Sequence, residues 1–363
     1  MVEEIDRLYG KKRYLCLMDN NVLRSKKFDQ IIEDIKAVGF YKGATFTNPE
    51  TGKDIRRLVA FDQGIDTLWV TPEKAKRLGE LALSPCYLSF DHIGEKERYI
   101  QTLKLLEKND ITNILAHMLY NAPNFTGKGS KRNADTLKDL YDRILINAVF
   151  TKKANERRQA QGKKLFDGFS FPMRYIPLDS TERGYIGPGW NKKMMASLEK
   201  IKGCAGGGIA ATWSSFISVM GESYEEFYEA LVMPTAYVRY RMKRANPIWH
   251  RAIHNWRILY RSLTPAEKMV FEHIIADNIF EPEKLKDIRS AKVRLLYLHY
   301  FVSGTAFLKL LKYISVNPKY IPFLQSLLAH CPDVFGRTLL MLKGKNSDKV
   351  YAKMTEFSCG IGV

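Results

Sequence analysis

Cysteine is scarce in this 363-residue chain, and no cysteine lies close to another in the sequence. The five are Cys16, Cys86, Cys204, Cys331 and Cys359, and they form no CxxC or CxxxCxxC motif. Zinc and iron–sulfur sites need thiolates grouped on a loop, and an odd number of dispersed cysteines does not build a disulfide framework. The spacing therefore predicts no metal site held by this chain alone. We expect Cys16 and Cys86, which fall inside predicted strands, to be buried thiols.

Long apolar runs are also lacking. No stretch approaches the roughly 20 apolar residues of a membrane span. The N-terminal sequence, MVEEIDRLYGKKRYLC, has acids before its bases and no apolar core of signal-peptide length. The hydrophobic content of 45% and the charged content of 26% are ordinary for a globular protein, so nothing in the composition favours disorder. These features together predict a soluble cytoplasmic protein that does not insert into membranes.

Acidic residues are few relative to basic ones: 39 Asp and Glu face 57 Lys and Arg, which gives a net charge of +18. Such an excess attracts polyanions, because Lys and Arg that neutralise phosphates release counterions whatever the sequence of the nucleic acid. A surplus that only keeps the protein soluble explains the charge equally well. The charge alone therefore identifies no partner.

A strand–helix pattern repeats four times between Arg13 and Asn121. The apolar runs RYLCLM, RLVAF, CYLSF and NILAHMLY each end in a polar residue and precede an amphipathic helix. This alternation predicts a parallel sheet, whose carboxyl-end loops hold ligands in such folds. The alternative is that the polar residues only cap the helices that follow. The candidate ligand-binding residues at these strand ends are Asp19, Asn21, Asp62, Gln63, Asp66, Asp91 and Asn121.

Local sequence features predict where several helices lie. Thr71-Pro72-Glu73 is an N-cap, a proline in the first turn and an early acid, which predicts a helix start. Further helices are predicted at 96–108 and 135–150. The basic segment 151–164 is expected to be an insert that separates this array from a further strand in FDGFSFPMRYIPL. The sequence GCAGGGIAAT lacks the spacing of a phosphate-binding loop, so it favours a tight connection or hinge.

The series DNNVL, GF..GA, DQGID, LSFDH, MLYN, LYDRI and FSFPMRYIPL resembles the barrel of radical S-adenosylmethionine (radical SAM) enzymes from its third strand onward. The resemblance implies a partial (β/α) barrel, similar to a TIM barrel, over residues 1–180. It also implies that S-adenosylmethionine lies across the strand ends. Asp62, Gln63 and Asp66 would then lie near its ribose or methionyl part, Asp91 beside them, and Asn121 near adenine.

In that family, a CxxxCxxC loop after the first strand holds a [4Fe–4S] cluster, and a Gly-Gly-Glu-like loop after the second strand holds the methionine amino group. Both loops would precede the region that matches. The resemblance therefore implies a cluster only if a missing N-terminal segment, or a partner subunit carrying CxxxCxxC, supplies it. On this interpretation the chain is a truncated enzyme, one half of a split enzyme, or a domain repurposed for binding. Radical SAM activity would depend on complementation.

Beyond a Gly-rich connecting region at 181–222, residues 223–363 are predicted to form a helical domain. Between Thr235 and Pro265 this domain has seven basic residues and no acid. A second hypothesis follows: a non-enzymatic, basic nucleic-acid-binding protein that uses the barrel as a scaffold. Trp249, Ile253, Trp256 and Tyr260 recur on one helical stripe, which favours core packing for the aromatic residues and a solvated face for the arginines. The candidate nucleic-acid-binding residues are Arg239, Arg241, Lys243, Arg244, Arg251, Arg257 and Arg261.

Overall fold

The computed structural model describes residues 2–18, 21–124, 133–179, 184–241, 247–302 and 304–331. The strands are β1 Tyr14–Leu17, β2 Thr45–Thr47, β3 Asp54–Arg56, β4 Leu58–Phe61, β5 Cys86–Ser89, β6 Asn113–Tyr120, β7 Asp167–Arg174 and β8 Ile209–Ala210. The helices are α1 Val2–Tyr9, α2 Phe28–Ala37, α3 Pro72–Leu78, α4 Lys96–Lys108, α5 Leu137–Ala160, α6 Lys192–Cys204, α7 Trp213–Met220, α8 Tyr224–Val232, α9 Thr235–Arg241, α10 Pro247–Arg261, α11 Pro265–Ile275, α12 Ala291–Leu298, α13 Gly304–Ser315 and α14 Ile321–His330.

The described residues divide into two compact units. The first contains those up to Gly189 together with Ala205–Tyr224. The second contains Trp190–Cys204 together with those from Glu225 onward. The first unit holds all the strands named above, and the second is helical.

Parallel pairing organises the first unit, as the strand–helix alternation predicted. β1 pairs in parallel with β4, and β5, β6 and β7 pair in parallel in that order. Isolated parallel bridges, Val59 with Leu83 and Ile65 with Leu88, connect β4 and its following loop to the β5 segment. The short β8 is antiparallel to β7, and β2 and β3 form a separate antiparallel pair. The fold is mixed α/β, and the described strands form no closed barrel.

Helices cover one face of the central strands. In β6, Ile114, Ala116 and Met118 are buried, whereas the alternate residue His117 is only partly buried. On the covered face, Asn147 of α5 donates a hydrogen bond to Ser170 Oγ of β7 at 2.9 Å. Continuous apolar runs are typical of strands buried on both faces, so the partly open second face departs from what the apolar runs of the sequence predict.

Cys16 illustrates the same correction. This cysteine is exposed, whereas Cys86 is buried, so the prediction of a buried thiol is confirmed only for Cys86. Cys16 pairs in register with Ala60 on β4, and its neighbours Leu15 and Leu17 in β1 are better shielded than it is. Strand alternation therefore places Cys16 on the less covered side.

The sequence signals predicted the residues at which helices begin more accurately than those at which they end. Thr71 Oγ1 accepts a hydrogen bond from the backbone N–H of Lys74 at 3.2 Å, which confirms the predicted N-cap of α3. α4 has the predicted bounds. The prediction of an insert at 151–164 was wrong, because α5 continues past 150 to Ala160 with Ala154 and Arg158 buried. The Gly-rich segment is confirmed as a tight connection, with Gly206 and Gly207 at φ +82° and +99° in the turn before β8.

The second unit confirms the predicted helical character of the later chain. Trp256 is fully buried, and Trp249 and Tyr260 are 7% and 4% exposed, so the aromatic stripe of α10 packs in the core as predicted. A helix is expected across 236–261; in this range the described residues form α9 and α10, and 242–246 lie outside the described residues. A further helix expected at 334–343 lies outside the described residues. No helix in the described ranges is long and apolar enough to cross a membrane.

Candidate functional site

The polar residues that follow β4 and β5 lie at the carboxyl ends of neighbouring parallel segments, which isolated bridges connect, as the strand–helix pattern predicted. Asp62 directly follows β4, and its backbone N–H donates to the carbonyl of Leu17 at the end of β1, at 3.1 Å. The loop then runs alongside β5: the N–H of Ile65 donates to Tyr87 O at 2.8 Å, and the N–H of Ser89 donates to Ile65 O at 3.4 Å. These bonds bring the loop 62–66 against the carboxyl end of β5.

Gly64 is the tightest point of this loop. Its φ is +85°, and a Cβ at this position would lie 3.3 Å from Ser89 Oγ and 3.8 Å from His117 Nδ1. A side chain would therefore meet both strain and crowding, so glycine lets the backbone lie against β5 and β6. Gln63, beside it, is exposed.

Asp66 organises the far end of the loop. One of its carboxylate oxygens accepts a hydrogen bond from the N–H of Leu68 at 2.8 Å and caps the short turn Thr67–Trp69. The other accepts from Asn21 Nδ2 at 3.3 Å. Two of the predicted site residues therefore contact each other across the ends of β1 and β4. Asp19 lies outside the described residues.

Asp91, after β5, is anchored to the next strand. Its Oδ1 accepts a hydrogen bond from the backbone N–H of Leu119 at 2.9 Å. Part of the residue is open to solvent, but protein atoms crowd its carboxylate and raise its pKa, while the bond from Leu119 and the charge of Arg143 oppose the rise. The carboxylate is thus held in place at the rim while one side remains accessible.

His117 was not singled out from the sequence, although it lies within the HMLYN motif. It projects from β6 on the partly open face, with ring centroids 5.3 Å from Tyr87 and 6.0 Å from Phe171. Burial lowers the pKa of His117, and the nearby carboxylates of Asp91 and Asp62 only partly offset this. The imidazole is therefore mostly neutral at pH 7 and offers one donor and one acceptor to a ligand.

A buried ion pair supports this edge from behind. Arg143 of α5 has no exposed surface, and its Nε lies 2.9 Å from Asp135 Oδ2. Its other nitrogens donate to the carbonyls of Phe90 at 2.5 Å and Leu119 at 2.7 Å. Arg143 therefore ties the end of β5 to the end of β6. In the sequence, only the motif LYDRI points to this arrangement.

Asn121 forms hydrogen bonds within the protein. Its side chain is fully buried, and Nδ2 donates to the carbonyls of Tyr175 at 3.3 Å and Tyr185 at 3.1 Å. Its Oδ1 accepts from the N–H of Gly187 at 2.7 Å. The amide is thus occupied in joining the segments that follow β6 and β7. Asn121 therefore positions these loops.

The predicted nucleic-acid-binding residues fall into three groups. Arg257 and Arg261 form ion pairs with the buried Glu229 of α8: Arg257 Nε lies 3.3 Å from Oε2, and Arg261 Nε lies 2.5 Å from Oε1. Arg251 is exposed on α10. Arg239 and Arg241 lie on α9, with side chains outside the description, and Lys243 and Arg244 lie outside the described residues.

In the described ranges, no group of three or more His, Cys, Asp or Glu side chains is placed to hold a metal ion. Comparisons with protein-family models, curated protein sequences and solved structures find no match to this chain. The function is therefore argued from the site itself.

Proposed function

We propose that the first unit is the S-adenosylmethionine- and substrate-binding part of a radical SAM enzyme, with the cofactor across the carboxyl ends of β4 and β5. The observation that carries the proposal is the approach of Gly64 to Ser89 and His117. This approach places a side-chain-free stretch of backbone beside the polar ends of neighbouring parallel strands, where α/β folds bind nucleotide-like ligands.

The chemistry of the edge suits this cofactor. S-adenosylmethionine carries a sulfonium, an ammonium group and ribose hydroxyls, all of which favour carboxylate acceptors. Asp62 is partly exposed, and the Asp91 carboxylate is held at the rim by Leu119 N–H. The rings of Tyr87 and Phe171 flank His117 on the partly open face, and such rings can pack on adenine or a sulfonium cation.

The [4Fe–4S] cluster fits the described residues less well. Cys86 is buried in β5, whereas Cys16 is exposed on β1. Within the described ranges, no third cysteine joins these two in a metal-binding group. The proposal therefore assigns the cluster to a partner subunit or to a further segment, and assigns only cofactor and substrate contacts to this unit.

Isothermal titration calorimetry with S-adenosylmethionine tests the proposal. We expect binding to the wild-type protein, weakened about tenfold by Asp62→Ala, since losing one charged acceptor costs roughly 1–2 kcal/mol. Asp167→Ala, which removes an exposed carboxylate from the other end of the sheet, is the matched control and should bind like the wild type. Absence of heat at millimolar ligand, with folding verified by circular dichroism, would overturn the proposal.

The second hypothesis, a basic nucleic-acid-binding protein, rests on the net charge of +18. Two of its candidate cations, Arg257 and Arg261, are engaged with Glu229. We therefore rank it below cofactor binding.

A further inference from the structure

A cavity of about 410 Å³ lies at the opposite end of the strands from the candidate site. Leu58, Ser84 and Asn113 mark where β4, the β5 segment and β6 begin, and all three line it. β6 has eight residues, so the cavity and the cofactor edge are separated by roughly 20 Å of strand. The cavity is thus a separate feature of the first unit.

The cavity is strongly basic. Lys42, Arg56, Lys163 and Lys164 line it, and all four residues are exposed. Within the described part of the chain, none of these four side chains forms an ion pair. Four positive charges thus converge on one concavity that has a single acidic residue, Asp110, in its lining, and the charges of Lys42 and Lys163 act on that carboxylate. Like charges held close together repel, and a bound anion relieves that repulsion.

The acid that lines the cavity is already neutralised. Asp110 pairs with Arg158, whose Nη2 lies 2.9 Å from Oδ1. Arg158 is only 4% exposed, and its Nε donates to the carbonyl of Lys164 at 2.5 Å. Arg158 therefore fixes the backbone at Lys164, which places this part of the basic wall on a rigid support.

One wall of the cavity is apolar. Leu58, Leu81, Leu83 and Ile111 line it beside the polar side chains of Ser84 and Asn113. Asn113 Nδ2 donates to Ser84 Oγ at 2.8 Å, which orients both groups. A cavity of this size with an apolar wall suits a small organic molecule better than a flat nucleic-acid backbone.

We propose that this cavity binds the phosphate group of a small phosphate ester, with Lys42, Arg56, Lys163 and Lys164 around the phosphate and the organic body against the apolar wall. Lysine and arginine donors are the usual partners of phosphate oxygens. The site is independent of S-adenosylmethionine binding at the other end of the sheet.

Calorimetry of the full chain with 2-naphthyl phosphate tests this site. We expect binding that weakens at least about tenfold in Lys42→Ala/Arg56→Ala/Lys163→Ala, because three charge-assisted contacts are lost. The matched control, Lys26→Ala/Lys96→Ala/Lys104→Ala, removes three exposed cations from the same unit and should stay within about twofold of the wild type. The uncharged 2-naphthol should bind at least about tenfold more weakly than the ester.

Asp62→Ala should leave binding of 2-naphthyl phosphate unchanged, so failure of this site and failure of the cofactor site are distinguishable. Three outcomes would overturn the inference: no binding at millimolar ester, equal weakening in the two triple variants, or equal binding of ester and naphthol. Tighter binding of a decathymidylate that depends on Lys42, Arg56 and Lys163 would also overturn it, because it would assign the surface to nucleic acid.

Discussion

Arg143 and Asp135 meet behind the carboxyl ends of β5 and β6, with Nε of one 2.9 Å from Oδ2 of the other. Both side chains are nearly or fully buried. Arg143 also donates to the carbonyls of Phe90 and Leu119, so one side chain holds together two strand ends of the candidate site. Burial raises the pKa of Asp135 and lowers that of Arg143, and each charge opposes the shift of the other.

Arg143→Met is therefore expected to lower the free energy of unfolding by about 3–5 kcal/mol, because it leaves a buried carboxylate without the Arg143 cation and two carbonyls without a donor. Arg157→Met on the same helix is the matched control. Arg157 is half exposed and pairs with Glu107 at 2.7 Å, so its loss should cost at most about 1 kcal/mol. Urea unfolding measures both. Equal costs for the two variants would show that the Arg143 pair has no special structural role.

Gly64→Ala is expected to lower the free energy of unfolding by about 2 kcal/mol and to weaken S-adenosylmethionine binding. The positive φ alone costs an L-residue about 1 kcal/mol. The new Cβ would also lie 3.3 Å from Ser89 Oγ and push the loop from β5. Gly52→Ala is the control, since Gly52 has φ +63° and no atom within 4 Å of a Cβ. If both variants cost the same and bind equally, the close approach at Gly64 has no role in the site.

The sequence predicted those parts of the candidate site that short stretches of residues determine. Apolar runs that end in Asp62 and Asp91 mark strand ends, and parallel pairing then brings those ends together. His117 was not identified from the sequence because its role depends on which face of β6 the helices leave uncovered. Tertiary packing determines that face. Arg143 escaped notice because its partners, the carbonyls of Phe90 and Leu119, are 53 and 24 residues away in the chain.

Two errors in the fold have similar causes. The basic, polar composition of 151–164 suggested an insert, but a capping box at Thr136 and Asp139 stabilises the start of α5, and the burial of Ala154 and Arg158 stabilises its later turns. β2 and β3 were not predicted because each has only three residues, too few for a period-two pattern to register.

Lys193 makes the second unit sensitive to pH. It is fully buried in α6, and Nζ donates to Ser197 Oγ at 2.5 Å and to the carbonyls of Leu231 at 3.1 Å and Met233 at 2.7 Å. Burial lowers the pKa of Lys193 to about 7. The unfolded chain, with an ordinary lysine pKa of about 10.4, then binds more protons than the folded protein between these values.

The free energy of unfolding is therefore expected to rise as the pH increases from about 7 toward 10, by less than about 1.4 kcal/mol per pH unit. Lys193→Met should remove this rise, although it lowers stability at neutral pH by leaving two carbonyls without a donor. Lys192→Met, an exposed neighbour on the same unit, should retain the rise. Fluorescence-monitored urea unfolding, which follows the buried Trp249 and Trp256, provides the measurement. An unchanged pH profile in Lys193→Met would refute the assignment.

Glu229 forms ion pairs with both Arg257 and Arg261. Its side chain is 5% exposed and receives both guanidinium groups, with Arg261 bidentate at 2.5 and 3.0 Å. Replacing both arginines, as Arg257→Met/Arg261→Met, leaves this carboxylate buried and unpaired, so we expect a loss of about 3 kcal/mol in the free energy of unfolding. Lys286→Met/Arg289→Met removes the same charge from exposed residues of the same unit and should cost less than about 1 kcal/mol.

The same pair of variants tests the nucleic-acid hypothesis. Because Glu229 already neutralises part of the charge of Arg257 and Arg261, these residues should contribute no more to RNA affinity than Lys286 and Arg289 do. Fluorescence anisotropy with a single-stranded RNA, at several salt concentrations and a temperature where both variants are folded, gives the comparison. A larger loss of affinity and a shallower salt dependence in the Arg257→Met/Arg261→Met variant alone would show that α10 contacts phosphates, and would support nucleic-acid binding by the second unit.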